Sequence, residues 1–172
     1  MQGNAAMLAK PPIDLSGVAP GVAADWLIAK YWDDAMPILP GRIAQRLGIR
    51  LVYLRATEQS QVCTDDQGRV CIAFKECDTP HIQRFTIAHV LGHIVLGHGF
   101  PPLEAWGSFG NNAPDPRDRA ANQFAATLLV PTDALRWCFT SGWMASLERI
   151  VEAFDVPESV VLYRYDQWRR SR

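Results

Sequence analysis

Residues Gln83 to Gly97 read QRFTIAHVLGHIVLG, apolar on nearly every face of a helix yet interrupted by two histidines four positions apart. A helix of that kind has no face to offer solvent, so the rest of the chain must be arranged around it as a cover. Length permits this. With 172 residues, 48% of them hydrophobic and 20% charged, the chain can bury one sizeable core, and its composition is neither that of a disordered segment nor that of a fibre. No internal repeat is visible.

Charge and cysteine usage narrow the setting. Seventeen basic against eighteen acidic side chains leave a net charge of −1, so no global positive field draws the chain to nucleic acid or to an anionic membrane. A local basic face is the remaining option. The opening MQGNAAMLAKPP lacks the charged and then apolar pattern of an export signal, and no run of about 18 apolar residues occurs, so a cytoplasmic location is expected. Cys63, Cys71, Cys77 and Cys138 form no CxxC pair and are expected as thiols, the first two facing each other across a hairpin.

The first twenty residues carry Pro11, Pro12 and Pro20 without any period and read as a flexible arm, which leaves a single folded domain over 21–172. Val22 to Met36 has helical spacing up to Pro37, and Pro40 and Gly48 bracket a short helix from Arg42 to Leu47. Arg50 to Arg55 predicts a strand, while Gln61 to Thr64 and Val70 to Lys75 flank the turn Asp65-Asp66-Gln67-Gly68 as a hairpin. A small antiparallel sheet is expected. Asp115-Pro116-Arg117-Asp118 reads as a helix start: an N-cap aspartate, proline in the first turn and a second carboxylate near the positive end of the dipole. Its buried stripe is Ala121, Phe124, Ala125 and Leu128, and Pro131 ends it. Further helices are expected at Asp133 to Phe139, Leu147 to Phe154 and Glu158 to Trp168.

One turn of helix separates His89 from His93 by about 6 Å along the axis and roughly 40° around it, so both imidazoles can reach one ion. Two neutral nitrogen donors on a rigid element are half of a tetrahedral zinc shell. In an HExxH site the residue after the first histidine is a glutamate that takes a proton from the attacking water. Here that residue is Val90, which can neither accept nor pass a proton. His98, five residues beyond His93, would lie roughly 140° around the helix, off the ligand face. His81 and Glu104 are loop residues able to approach the same cleft.

The run from Arg84 to His93 resembles the RFTxAHELGH signature of ImmA/IrrE-type metallopeptidases, with Val90 where that signature has glutamate. A second signature, ExxANxFAxxLLxP, is similar to the stretch from Asp118 through Asn122, Phe124, Ala125, Leu128 and Leu129 to Pro131. The similarity extends from about Ile38 to Tyr165, including Leu47-Gly48-Ile49 before the first strand.

The resemblance implies an α+β, zincin-like domain in which a small antiparallel sheet packs on the HxxxH helix. It implies zinc held by His89, His93 and Asp118. Relatives carry glutamate at the third position, and aspartate falls short by about 1 to 1.5 Å unless the second helix sits closer. Asn122, one turn after Asp118, is placed to accept the outer N–H of a liganding histidine. An extended peptide is expected to pair by β-addition with the strand that carries Val70, Ile72 and Phe74.

The expected function is a degenerate member of this family. It would regulate a helix-turn-helix repressor of a mobile element, prophage or stress regulon by binding rather than by efficient cleavage. One rival is an active peptidase recruiting Glu104 or Glu76 as its base. The other is a non-catalytic regulator that binds protein or DNA through its terminal helices, with Arg164, Arg169 and Arg170 as the basic contacts; packing is the expected role of those helices, and direct nucleic-acid binding is not expected.

Overall fold

The computed structural model describes residues 12–99, 113–141 and 146–171. Proline sets the start of four helices, because its missing N–H belongs to a turn where that donor has no helical partner. These are α1 (Pro20–Tyr31), α2 (Pro40–Arg46), α3 (Pro80–Val95) and α4 (Pro116–Leu129). Three strands, β1 (Arg50–Leu54), β2 (Gln61–Thr64) and β3 (Val70–Lys75), lie between α2 and α3. Helices α5 (Thr132–Thr140), α6 (Leu147–Phe154) and α7 (Glu158–Arg170) follow α4. The α+β class is as the sequence implies.

The sheet is mixed rather than antiparallel. Its order is β1-β3-β2, with β1 parallel and β2 antiparallel to β3. The hairpin brings β3, not β2, alongside β1, and the sequence carries a sign of this: all of Val70 to Phe74 is buried, the unbroken apolar run of a strand covered on both faces. Cys63 and Cys71 stand opposite each other in the hairpin register, and all four cysteines are free thiols.

Two expected boundaries move. Helix α1 ends at Tyr31, well before Pro37, with Trp32 already extended at φ −75° and ψ 150°. The guanidinium of Arg46 takes the Tyr31 carbonyl, and Asp33 pairs with Arg42 at 3.1 Å, so α2 turns the chain toward itself before proline is reached. At the other end, the segment before Gly21 is not wholly a loose arm. Leu15 donates its N–H to the Val95 carbonyl at 2.7 Å, and Ile13 and Leu15 pack on the core.

Helix α3 is the centre of the domain, with Phe85, Ile87, Ala88, Val90, Leu91, Ile94 and Val95 all buried. Helix α4 packs along it and α1 packs on α4, while β3 and β2 cover another side of α3. Arg84 anchors α3 at depth: its guanidinium donates to the Ile38 carbonyl and to both the side chain and the backbone carbonyl of Asp155. Among the described residues, no helix is long and apolar enough to cross a membrane.

Candidate metal centre

Helix α4 lies close to α3 because Gly92 has no side chain. A Cβ there would stand 2.9 Å from Phe124 Cδ1 and 3.3 Å from the Cα of Ala121. The start of α4 is set locally, since the Asp115 side chain accepts the Arg117 N–H at 2.8 Å and Pro116 occupies the first turn. Asp118 and Asn122, one turn apart, are thereby presented to the histidines of α3.

His93 Nε2 is 3.1 Å from His89 Nε2 and 3.1 Å from Asp118 Oδ1, and His89 Nε2 is 3.9 Å from the same oxygen. Donors held about 2.0 to 2.1 Å from a tetrahedral ion stand about 3.3 Å from one another. Two of the three separations come close to that edge length, and the third, from His89 to Asp118, is about 0.6 Å longer. His89, His93 and Asp118 are also the one group of potential metal ligands brought together among the described residues. Helix α4 is near enough for the shorter aspartate side chain to come within 3.1 Å of His93 Nε2.

Both imidazoles are suited to coordination. Burial pushes the His89 pKa down to about 4, against a smaller raising effect of its hydrogen bond with Asn122. Burial also pushes His93 well below the usual histidine range, with the neighbouring His89 adding to the effect. Each ring is thus neutral near pH 7. His89 Nδ1 lies 2.9 Å from Asn122 Oδ1, an acceptor, so Nδ1 carries the ring proton and the lone pair stays on Nε2, facing the site.

Val90 has no exposed surface and belongs to the hydrophobic core. Of the other carboxylates named as a base, Glu76 is exposed at the end of β3 and stands outside the ligand cluster, and Glu104 lies outside the described residues. His81 is engaged elsewhere, with Nδ1 2.7 Å from Asp155 Oδ1.

Val70, Ile72 and Phe74 do not form a substrate edge. Strand β3 is interior, with β1 and β2 paired on its two sides and all three side chains buried. The outer strands of the described sheet are β1 and β2, and of these β2 contacts α3. Arg164 is no more available to DNA: it is buried, and its guanidinium donates to the Val130 carbonyl at 3.0 Å and to the Thr132 hydroxyl at 2.7 Å.

Sequence reasoning missed one contact. His98 reaches His93 after all, its Nδ1 3.1 Å from His93 Nδ1. The rotation of about 140° applies only while a helix continues. Here α3 ends at Val95 and Gly97 turns the chain back at φ +69°, so a glycine two residues beyond the helix was the available signal.

A sheet laid on a buried HxxxH helix, with an acid from the next helix completing the cluster, defines a zincin-like domain of the metallopeptidase class. Residues 44–166 match the M78 peptidase family, described as the IrrE N-terminal-like domain. That match covers well over half of the 172 residues, and the chain belongs to this family. No curated protein matches the chain significantly.

Proposed function

We propose that this chain is a degenerate IrrE-type domain that holds zinc between His89, His93 and Asp118 and acts by binding a protein partner rather than by cleaving it efficiently. The observation that carries this reading is an assembled ligand cluster beside a fully buried valine at the position of the base. When bound, zinc would polarise a carbonyl or a water placed on it. The protein's own residues do less than in a peptidase. Asn122 orients His89, the α3–α4 contact at Gly92 holds Asp118 in place, and Val90 excludes water where a proton carrier would stand. General acid and base groups contribute typically about 10²- to 10⁴-fold, so a site without one cleaves the peptide bond more slowly by about that factor and leaves its partner largely intact.

The partner we propose is a helix-turn-helix repressor presenting an extended segment, the substrate class that the family resemblance implies. With β3 enclosed, β2 is the strand that supports such pairing, since it is an outer strand of the described sheet and contacts α3.

The test combines elemental analysis and zinc titration of the purified chain with incubation against a panel of helix-turn-helix repressor domains. One zinc per chain, lost in His89→Ala, together with a stable complex and intact partner, is the expected result. A wild-type chain that takes up no zinc overturns the metal reading. Rapid cleavage abolished by a chelator establishes an active peptidase instead.

A further inference from the structure

We propose that His98 is a positioning residue for this metal centre, holding the ring of His93 so that Nε2 points at His89 and Asp118, and serving as either donor or acceptor as the site fills. The inference rests on the zinc-binding reading above and adds a side chain that the family pattern does not supply.

The backbone delivers His98 to this place. Leu96 caps α3, the Gly97 N–H bonds the Ile94 carbonyl at 3.3 Å, and the His98 N–H bonds the His93 carbonyl at 3.0 Å. These are the paired bonds of a Schellman motif, which folds the chain back over the last turn of its helix. The motif is braced from behind. A Cβ on Gly97 would meet Ser16 Cβ at 3.0 Å, and Leu15 of the same segment bonds Val95. His98 is therefore held against His93, with ring centroids 5.0 Å apart and planes at 74°.

His93 is consequently committed at both nitrogens, Nε2 to the ligand cluster and Nδ1 to His98. A fully buried ring fixed at two opposite points cannot turn its donor atom away from the site. The choice of partner matters chemically. To ligate a cation, His93 needs a lone pair on Nε2 and a proton on Nδ1, and that proton needs an acceptor. Without a cation, Nε2–H faces the Asp118 carboxylate and Nδ1 becomes the acceptor. A carbonyl could serve only the first state and an ammonium only the second, whereas a neutral imidazole serves both by exchanging tautomer. Each ring carries one proton in either state, so neither has to become charged within the buried cluster.

The experiment is zinc titration of the full chain, by competition with a chromophoric chelator, for wild type, His89→Ala, His98→Ala and His98→Gln. Thermal unfolding of the metal-free forms and the visible spectrum of the cobalt-loaded forms accompany it. Loss of an outer-shell partner costs typically about 10- to 100-fold in metal affinity, the weakening expected of His98→Ala. His98→Gln, whose amide can accept or donate, recovers most of that loss. The cobalt spectrum of His98→Ala is altered, while its metal-free unfolding midpoint stays near that of wild type. Wild-type affinity in His98→Ala overturns this inference and leaves the zinc site standing. Equal weakening in both His98 variants, matched by equal loss of metal-free stability, reduces His98 to packing and also overturns it. Failure of the wild-type chain to bind zinc overturns the zinc reading and this inference together.

Discussion

Gly92 and Ala121 face each other across α3 and α4 so closely that a Cβ on the glycine would come within 3.3 Å of the alanine Cα. The separation of the two helices, and with it the reach of Asp118 to His93, is governed at this contact. Gly92→Ala drives the new methyl group into Phe124 and Ala121, an overpacking expected to cost about 1 to 3 kcal/mol. Zinc affinity falls with it, because the carboxylate withdraws from the histidines. Denaturant unfolding with and without zinc checks both effects; unchanged affinity in a destabilised variant would show that α4 does not set the ligand distance.

Asn122→Leu keeps the branching and heavy-atom count of the side chain, though with bulkier methyl ends, and removes the acceptor of the His89 ring proton. The buried N–H left without that oxygen costs about 1 to 3 kcal/mol. Zinc binding weakens by about 10- to 100-fold. Asn122→Asp, which restores an acceptor, is expected to bind zinc at least as well as wild type, and calorimetric titration of the two variants separates orientation from packing.

Val90→Glu replaces a fully buried hydrocarbon with a carboxyl group. In the metal-free chain this lowers stability by on the order of 3 kcal/mol, from lost packing and desolvation of the acid. Zinc offsets part of that loss by favouring the ionised form, so its addition raises the unfolding midpoint more in the variant than in wild type. Slow, chelator-sensitive cleavage of a repressor domain is the expected gain. A variant that neither responds more strongly to zinc nor cleaves would place position 90 away from the ion.

Asp65 organises the β2–β3 hairpin. Its carboxylate accepts the N–H groups of Gln67 and Arg69 and the guanidinium groups of Arg69 and Arg50, which together hold its pKa far below the usual carboxylate range. A depressed folded value means that the ionised form is bound more tightly in the fold than in the unfolded chain. Its contribution is present above the unfolded value near 3.9 and is lost as pH falls through the folded one. Asp65→Asn therefore lowers the melting temperature at pH 7, and the gap to wild type closes on acidification below about pH 4. Melting curves at several pH values check the sign.

Much of this was readable along the chain. The helix starts at Pro40 and Asp115, the turn at Asp65 to Gly68, the HxxxH pair and the α4 stripe all depend on residues within a turn or two of one another. Local rules reach that far. Relations between distant segments are of another kind. Adjacency in sequence pairs β1 with β2 in an antiparallel sheet, whereas in space β3 lies between them, as the unbroken apolar run in β3 indicates. Helix α1 was expected to reach Pro37, yet Arg46 and Arg42, on the next helix, ended it sooner.

Sequence alone determined which side chains were available for chemistry: two imidazoles one turn apart, an acid at the head of a capped helix, and a valine where a base would stand. Periodicity and capping are properties of a single segment and need no partner. Tertiary structure decided whether those groups meet. The distance from Asp118 to His93 depends on how closely two helices pack at Gly92, the enclosure of β3 on its order among the strands, and the reach of His98 on a glycine that reverses the chain. Each is a relation between segments set by the volume they exclude and the bonds they share, and no single stretch of sequence contains it.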